Sequence, residues 1–221
     1  MANKGLFGKL PAHGDFVQRD LPASFVTPWD EWLQRAVHGS QELVGERWLE
    51  YYLTSPIWRF ALSAGVVSQS AWAGVLVPSV DSVGRYFPVT MAVSLPAASN
   101  PFDIQVSAES WYSELSELAV SALQNALLAD QLLERFPAFS ERASKDIKME
   151  VDEQLLKASG ESVIADSYPA MLERLCKMQH ASFSVWWCAG SQFLAPITML
   201  SPGLPDPSEY VSMLGAPKFH W

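Results

Sequence analysis

Three short apolar runs succeed one another between Ile57 and Leu95 with only turn-prone residues between them, and this succession restricts the fold more than any other feature. In residues 57–64, Trp58, Phe60 and Leu62 alternate with Ile57, Arg59 and Ala61. Residues 71–77 follow the turn-prone 65–70, and in 87–95 Val89, Met91, Val93 and Leu95 alternate with Thr90, Ala92 and Ser94. A side-chain period of two belongs to a strand, and strands joined by short turns pair antiparallel. The first two runs are expected to form a hairpin, and the third to turn one face to the core. Residues 183–188 and 193–198, around 189–192, read as a second hairpin.

Helical patterns lie outside these runs. Trp29, Trp32, Leu33 and Ala36 fall at i, i+3, i+4 and i+7 of a helix over 24–37, with Thr27 as its cap and Pro28 at its first position. Residues 45–53 read as a short helix with Trp48, Tyr51 and Tyr52 on one side. The span 107–135 is the longest helical candidate, with Trp111, Leu115, Leu118 and Ala122 on one face. Residues 136–165 read as helical pieces and loop, 168–179 as helix, and 209–214 as a short closing helix. Hairpins without strict strand–helix alternation predict an α+β fold, a largely antiparallel central sheet packed with helices. We expect a single domain over 1–221, with any internal break placed near 96–106.

Composition narrows the function classes. Hydrophobic residues make up 49% and charged residues 18%, with nine Trp and eleven Phe, so the chain can build a substantial core. The net charge of -9 argues against nucleic acid or an anionic membrane surface as a partner. No apolar run approaches the ~20 residues of a membrane span, and the first residues lack a secretory h-region. A cytoplasmic protein without membrane insertion is expected. Cys176 and Cys188 show no metal-ligand spacing, and Cys188 reads as a buried free thiol.

Chemistry-bearing residues concentrate in two motifs. GLFGKLPAHGDFVQR (5–19) places Lys9, His13, Asp15 and Arg19 among glycines and a proline, and reads as a shaped loop between two short strands. PSVDSVGRYFPVT (78–90) carries Ser79, Asp81, Arg85 and Tyr86 in a turn-rich frame. An enzyme reading makes the protein a hydrolase or phosphoryl-signalling component that uses His13, Asp15 and Ser79 or Asp81. No G-x-S-x-G elbow surrounds Ser79, however, and Ser79 and Asp81 suit hydrogen bonds within their own turn. The scattered histidines supply no metal-binding pattern, so neither metal nor other cofactor is expected. The 5–9 stretch lacks P-loop spacing, and Gly8 and Lys9 read as a bend and a solvated charge.

Arg59 and Arg85 stand among aromatic residues, where arginines are commonly half-buried and paired, with Asp15 or Asp81 as the natural partners. The two motif loops are therefore expected to meet at one end of the sheet. Lys9, His13, Asp15, Arg19, Arg59, Ser79, Asp81, Arg85 and Tyr86 form the candidate binding or network set. Trp186 and Trp187 are neighbours in a strand and must face opposite sides, one of them beneath a helix on the second face.

These motifs, together with WDEWL (29–33), WRF (58–60), SVWW (184–187) and GLPDPSEYVSML (203–214), resemble the TagF family, also called ImpM, of bacterial type VI secretion. The resemblance implies a longin-like sheet-and-helix architecture and a cytoplasmic accessory protein that holds the secretion apparatus off after translation. It also implies a partner, the forkhead-associated scaffold protein of that system, and a regulatory protein rather than an enzyme.

Overall fold

In the computed structural model, which describes residues 3–140, 147–151, 155–160 and 166–217, the apolar runs assemble into a seven-stranded sheet. The described strands are β1 (Lys4–Gly8), β2 (Val17–Arg19), β3 (Trp58–Leu62), β4 (Ala71–Val77), β5 (Val89–Leu95), β6 (Ile147–Val151), β7 (Leu156–Gly160), β8 (Phe183–Cys188) and β9 (Ile197–Pro202), of which β6 and β7 pair with each other apart from the large sheet. The large sheet runs β2-β1-β5-β4-β3-β8-β9, and every neighbouring pair is antiparallel. The expected hairpin of the first two runs is β3–β4, with Trp58 opposite Leu76 and Leu62 opposite Trp72.

Helices cover both faces. They are α1 (Ala23–Val44), α2 (Trp48–Leu53), α3 (Pro101–Ser107), α4 (Glu109–Gln124), α5 (Ala129–Arg135), α6 (Ser167–Gln179) and α7 (Tyr210–Met213). Strand alternation sorts the side chains between two cores. Ala71, Ala73, Val75 and Val77 of β4 meet Trp111, Tyr112 and Leu115 of α4, whereas Trp72 and Leu76 join Phe25, Trp29 and Trp32 of α1. β5 is buried on both faces rather than one, because Val89, Met91 and Val93 enter the α4 side and Ala92 the α1 side. Thr90, fully buried, accepts a hydrogen bond from Trp29 Nε1 at 2.8 Å.

Trp186 and Trp187 do face opposite sides, and both are covered. Trp186 stacks on Trp29 at 5.8 Å between ring centroids and tilts against Phe60, while Trp187 meets Tyr112 edge-on. The indole N–H groups find acceptors, Trp32 on Pro205 O and Trp58 on Met213 O, as buried indoles require. Cys176 and Cys188 are buried free thiols.

Several element boundaries differ from the sequence expectation. α1 begins at Ala23 and runs to Val44, so Thr27 is no cap and Pro28 lies inside the helix. The carbonyl that Pro28 leaves without an amide partner belongs to the exposed Ser24, where water can satisfy it. The 107–135 span breaks into α4 and α5 at Ala126, which takes φ +48°. Within 136–165 the described residues form the β6–β7 hairpin instead of helical pieces; 141–146, 152–154 and 161–165 lie outside the described residues. The last strand starts at Ile197 rather than Phe193, because 191–194 turn on themselves through Ser191 N–H to Leu194 O at 2.7 Å.

Candidate functional site

The site is built on the β1–β2 hairpin and the loop from β4 to β5. The first motif contains strand as well as loop: Gly5 and Gly8 lie within β1, and the loop itself is 9–16. A side chain at Gly5 would collide with Arg19 O and would come within 2.8 Å of Leu21 N. Gly8 takes φ +132° with Pro88 O against the position of a Cβ, so the backbone leading into β5 lies directly on the hairpin.

Asp81 is the hub between the two loops. Its carboxylate is fully withdrawn from water, with Oδ2 3.0 Å from Lys9 Nζ and 2.7 Å from Arg85 Nε. Oδ1 accepts from the Arg85 amide at 2.9 Å and the Val83 amide at 3.1 Å, the self-bonded turn expected of an aspartate in such a sequence. Arg85 then crosses to the first loop, its Nη2 donating to Gly14 O at 2.5 Å, and Ser82 N–H donates to His13 O at 2.9 Å. Asp15 lies 3.9 Å from Arg85 Nη2 with both groups largely in water, a contact of little energetic weight.

Lys9 is not the solvated charge that its neighbours suggested. It is 5% exposed, paired to Asp81, and roofed by the Phe16 ring at 5.0 Å. A strand period of two puts it on the same side as Phe7, a signal for burial that the glycine-rich context hides. Ser79 Oγ donates to Lys9 O at 2.6 Å, and Tyr52 Oη bridges the Ser79 backbone, accepting from its N–H and donating to its carbonyl, both at 2.9 Å. Burial pushes the Tyr52 hydroxyl well above the usual tyrosine range. Tyr52 escaped notice as a site residue; its place beside Trp48 on a buried helix face, with a hydroxyl needing a partner, is the signal that marks it. Tyr86 packs edge-on against Trp48 and Tyr52.

The remaining candidates lie elsewhere. His13 Nε2 accepts from Ala129 N–H at the start of α5, and Arg19 Nε pairs with Asp130 at 2.8 Å, so both tie the hairpin to α5. Arg59 pairs with neither Asp15 nor Asp81. It faces α4, donating to both carboxylate oxygens of Glu109 at 2.7 and 2.8 Å and to Ser113 at 3.2 Å. Ser79, His13 and Asp15 do not assemble a triad, since the Ser79 hydroxyl is buried on a carbonyl and His13 turns to α5. Among the described residues no group of three His, Cys, Asp or Glu is placed to hold a metal, and no helix is long and apolar enough to cross a membrane.

Burial alone would raise the Asp81 pKa, but hydrogen bonds from the Arg85 amide, Lys9, the Arg85 guanidinium and the Val83 amide outweigh it. They hold the carboxyl well below the usual carboxylate range. A folded value below the unfolded one contributes stability that is complete above the unfolded value of about 4 and is lost as pH falls through the folded one. Melting temperature measured from pH 6 downward is therefore expected to fall below about pH 4, with a shallower fall in Asp81→Asn. Equal slopes for the two proteins contradict this assignment.

Comparison with known proteins agrees with the motif reading. A family model described as the TagF N-terminal domain, type VI secretion system-associated, matches residues 5–138. The chain belongs to the TagF family. The crystal structure of PA0076 from Pseudomonas aeruginosa PAO1 is similar to it over 98% of this chain and 96% of that one, at 33% identity and a TM-score of 0.82. No curated protein matches. The TagF match takes in both motif loops, α1 and β1 to β5, whereas β6 to β9 lie beyond it.

Proposed function

We propose that this chain is a post-translational repressor of type VI secretion that docks the forkhead-associated scaffold protein through the face formed by residues 9–16 and 78–86. The observation that carries this reading is the locking of two separate loops through one buried carboxylate, Asp81, which contacts Lys9 and Arg85. A face held in this way loses little entropy on binding. Phe16, Val83 and Arg85 on these loops stay in water, the first two at 46% and 67% exposure, and an aromatic, an aliphatic and an arginine are fitting contacts for a protein partner. The net charge of -9 suits a neutral or basic patch on that partner.

The protein acts in the cytoplasm as one domain over 1–221, without membrane insertion, cofactor or catalysis. The single-domain reading is supported by β1 and β9 belonging to one sheet, and the non-catalytic reading by the commitment of Ser79 Oγ to Lys9 O. Titration calorimetry with the scaffold protein tests the proposal. Val83→Glu and Phe16→Ala are each expected to weaken binding at least about tenfold while Val83→Glu leaves the melting temperature in place. Unaltered affinity in both variants refutes docking through this face.

A further inference from the structure

Arg85 is held on one side and open on the other. Of the five N–H donors that a guanidinium carries, Nε gives its one to Asp81 Oδ2 at 2.7 Å, and Nη2 gives one to Gly14 O at 2.5 Å. Among the described residues, neither N–H of Nη1 nor the second of Nη2 has an acceptor. The Asp15 carboxylate stops 3.9 Å from Nη2, beyond hydrogen-bond reach, and its Oδ1 instead accepts from the Phe16 amide at 2.8 Å. The Arg85 side chain is 55% exposed, on the same two loops as the exposed Phe16 and Val83. Its two bonds to the loops fix the plane of the guanidinium, so the open donors have little freedom left to lose on binding.

We propose that Arg85 is an oxyanion-recognition residue, whose free Nη donors receive the carboxylate of one Asp or Glu side chain on the docking partner. This rests on docking through the face of residues 9–16 and 78–86, and it names the group recognised there. A guanidinium donates parallel N–H groups to the two oxygens of a carboxylate, a match that a point charge lacks. The local charge balance selects a carboxylate over a phosphate. Lys9 is paired with Asp81 and Arg85 has Asp15 beside it, so the formal charges of the two loops cancel. One guanidinium suits a single negative charge. A phosphate brings nearly two at pH 7 and would meet Asp15 with no second cation to offset it, since Lys9 is 5% exposed and committed to Asp81. Phe16 and Val83 beside the pair exclude water from it in the complex, which gives it more weight than an exposed surface pair. The acid is a single one within the otherwise neutral or basic patch that a chain of net charge -9 favours.

Titration calorimetry of the full chain with the scaffold protein tests this pair. Arg85→Lys keeps the charge but loses the planar donors, and is expected to weaken binding about tenfold. Asp15→Asn removes the competing charge, keeps the acceptor for the Phe16 amide, and is expected to tighten binding about threefold. A purely structural Arg85 gives no such gain. Each Asp and Glu on the partner's surface is then changed singly to Asn or Gln. One of these changes is expected to abolish the Arg85→Lys effect, because both substitutions remove the same contact. Melting temperatures within a few degrees of the parent control for folding. Arg85→Lys that binds like the parent, while Val83→Glu weakens binding, overturns this inference and leaves the docking face standing. Additivity of Arg85→Lys with every acid of the partner also overturns it. So does an Arg85 effect that vanishes when the partner is treated with phosphatase, which assigns the donors to a phosphate. If Val83→Glu and Phe16→Ala are without effect too, the docking face falls and the carboxylate assignment falls with it.

Discussion

Replacement of Asp81 by alanine is expected to lower the melting temperature by about 10 °C, because it strands the Lys9 ammonium in a site closed to water. The buried lysine and the two loop amides lose their acceptor together, and the loops lose their cross-link. A second substitution separates these contributions. Lys9→Met in the Asp81→Ala background removes the stranded charge and is expected to restore part of the melting temperature, so the double variant is more stable than Asp81→Ala alone. Arg85→Ala provides the contrast: its side chain is half in water, so the expected drop is a few degrees at most. Calorimetric melting of the four proteins decides the matter. An Asp81→Ala protein that melts with the parent removes the hub from the site.

The second large effect lies in the tryptophan-rich core. Trp186 is fully buried and packs on Trp29, Trp32 and Phe60, with its indole N–H on Ser184 Oγ at 2.8 Å. Truncation to alanine removes those contacts and leaves a cavity between α1 and the sheet, for an expected loss of about 3–5 kcal/mol. Against a typical total of about 5–15 kcal/mol, this brings the folded state close to its limit. Urea unfolding followed by fluorescence is expected to show a lower midpoint at an unchanged slope. A midpoint shift worth less than about 1 kcal/mol means that the surrounding rings close over the gap, contrary to this packing.

Much of the sheet was legible before any coordinates, and the reasons are local. Residues 71–77 and 183–188 coincide with β4 and β8 because β-branched and aromatic residues run between turn formers there. The Asp81–Arg85 pair was within reach because it is four residues long and sits in one turn. What escaped depends on partners distant in the chain. Arg59 finds Glu109 fifty residues away, and nothing local distinguishes that carboxylate from Asp15 or Asp81. Thr27-Pro28 imitates a helix start, but α1 gains Phe25 and Val26 for the core by beginning earlier. In 147–160 the alternation of Ile147 and Met149 with Lys148 and Glu150 is present but short, and the segment's charge density masks its period of two.

The α1-side core also has an implication for synthesis. Trp32 and Trp58 send their indole hydrogen bonds to Pro205 and Met213, and Trp186 arrives with β8, so this aromatic layer draws its cover from residues far apart in the chain. On the ribosome, α1 and β3 emerge well before the segment that seals them, and contacts of such long sequence separation close slowly. During that interval the nascent chain displays several tryptophans to water, the kind of surface that holdase chaperones recognise.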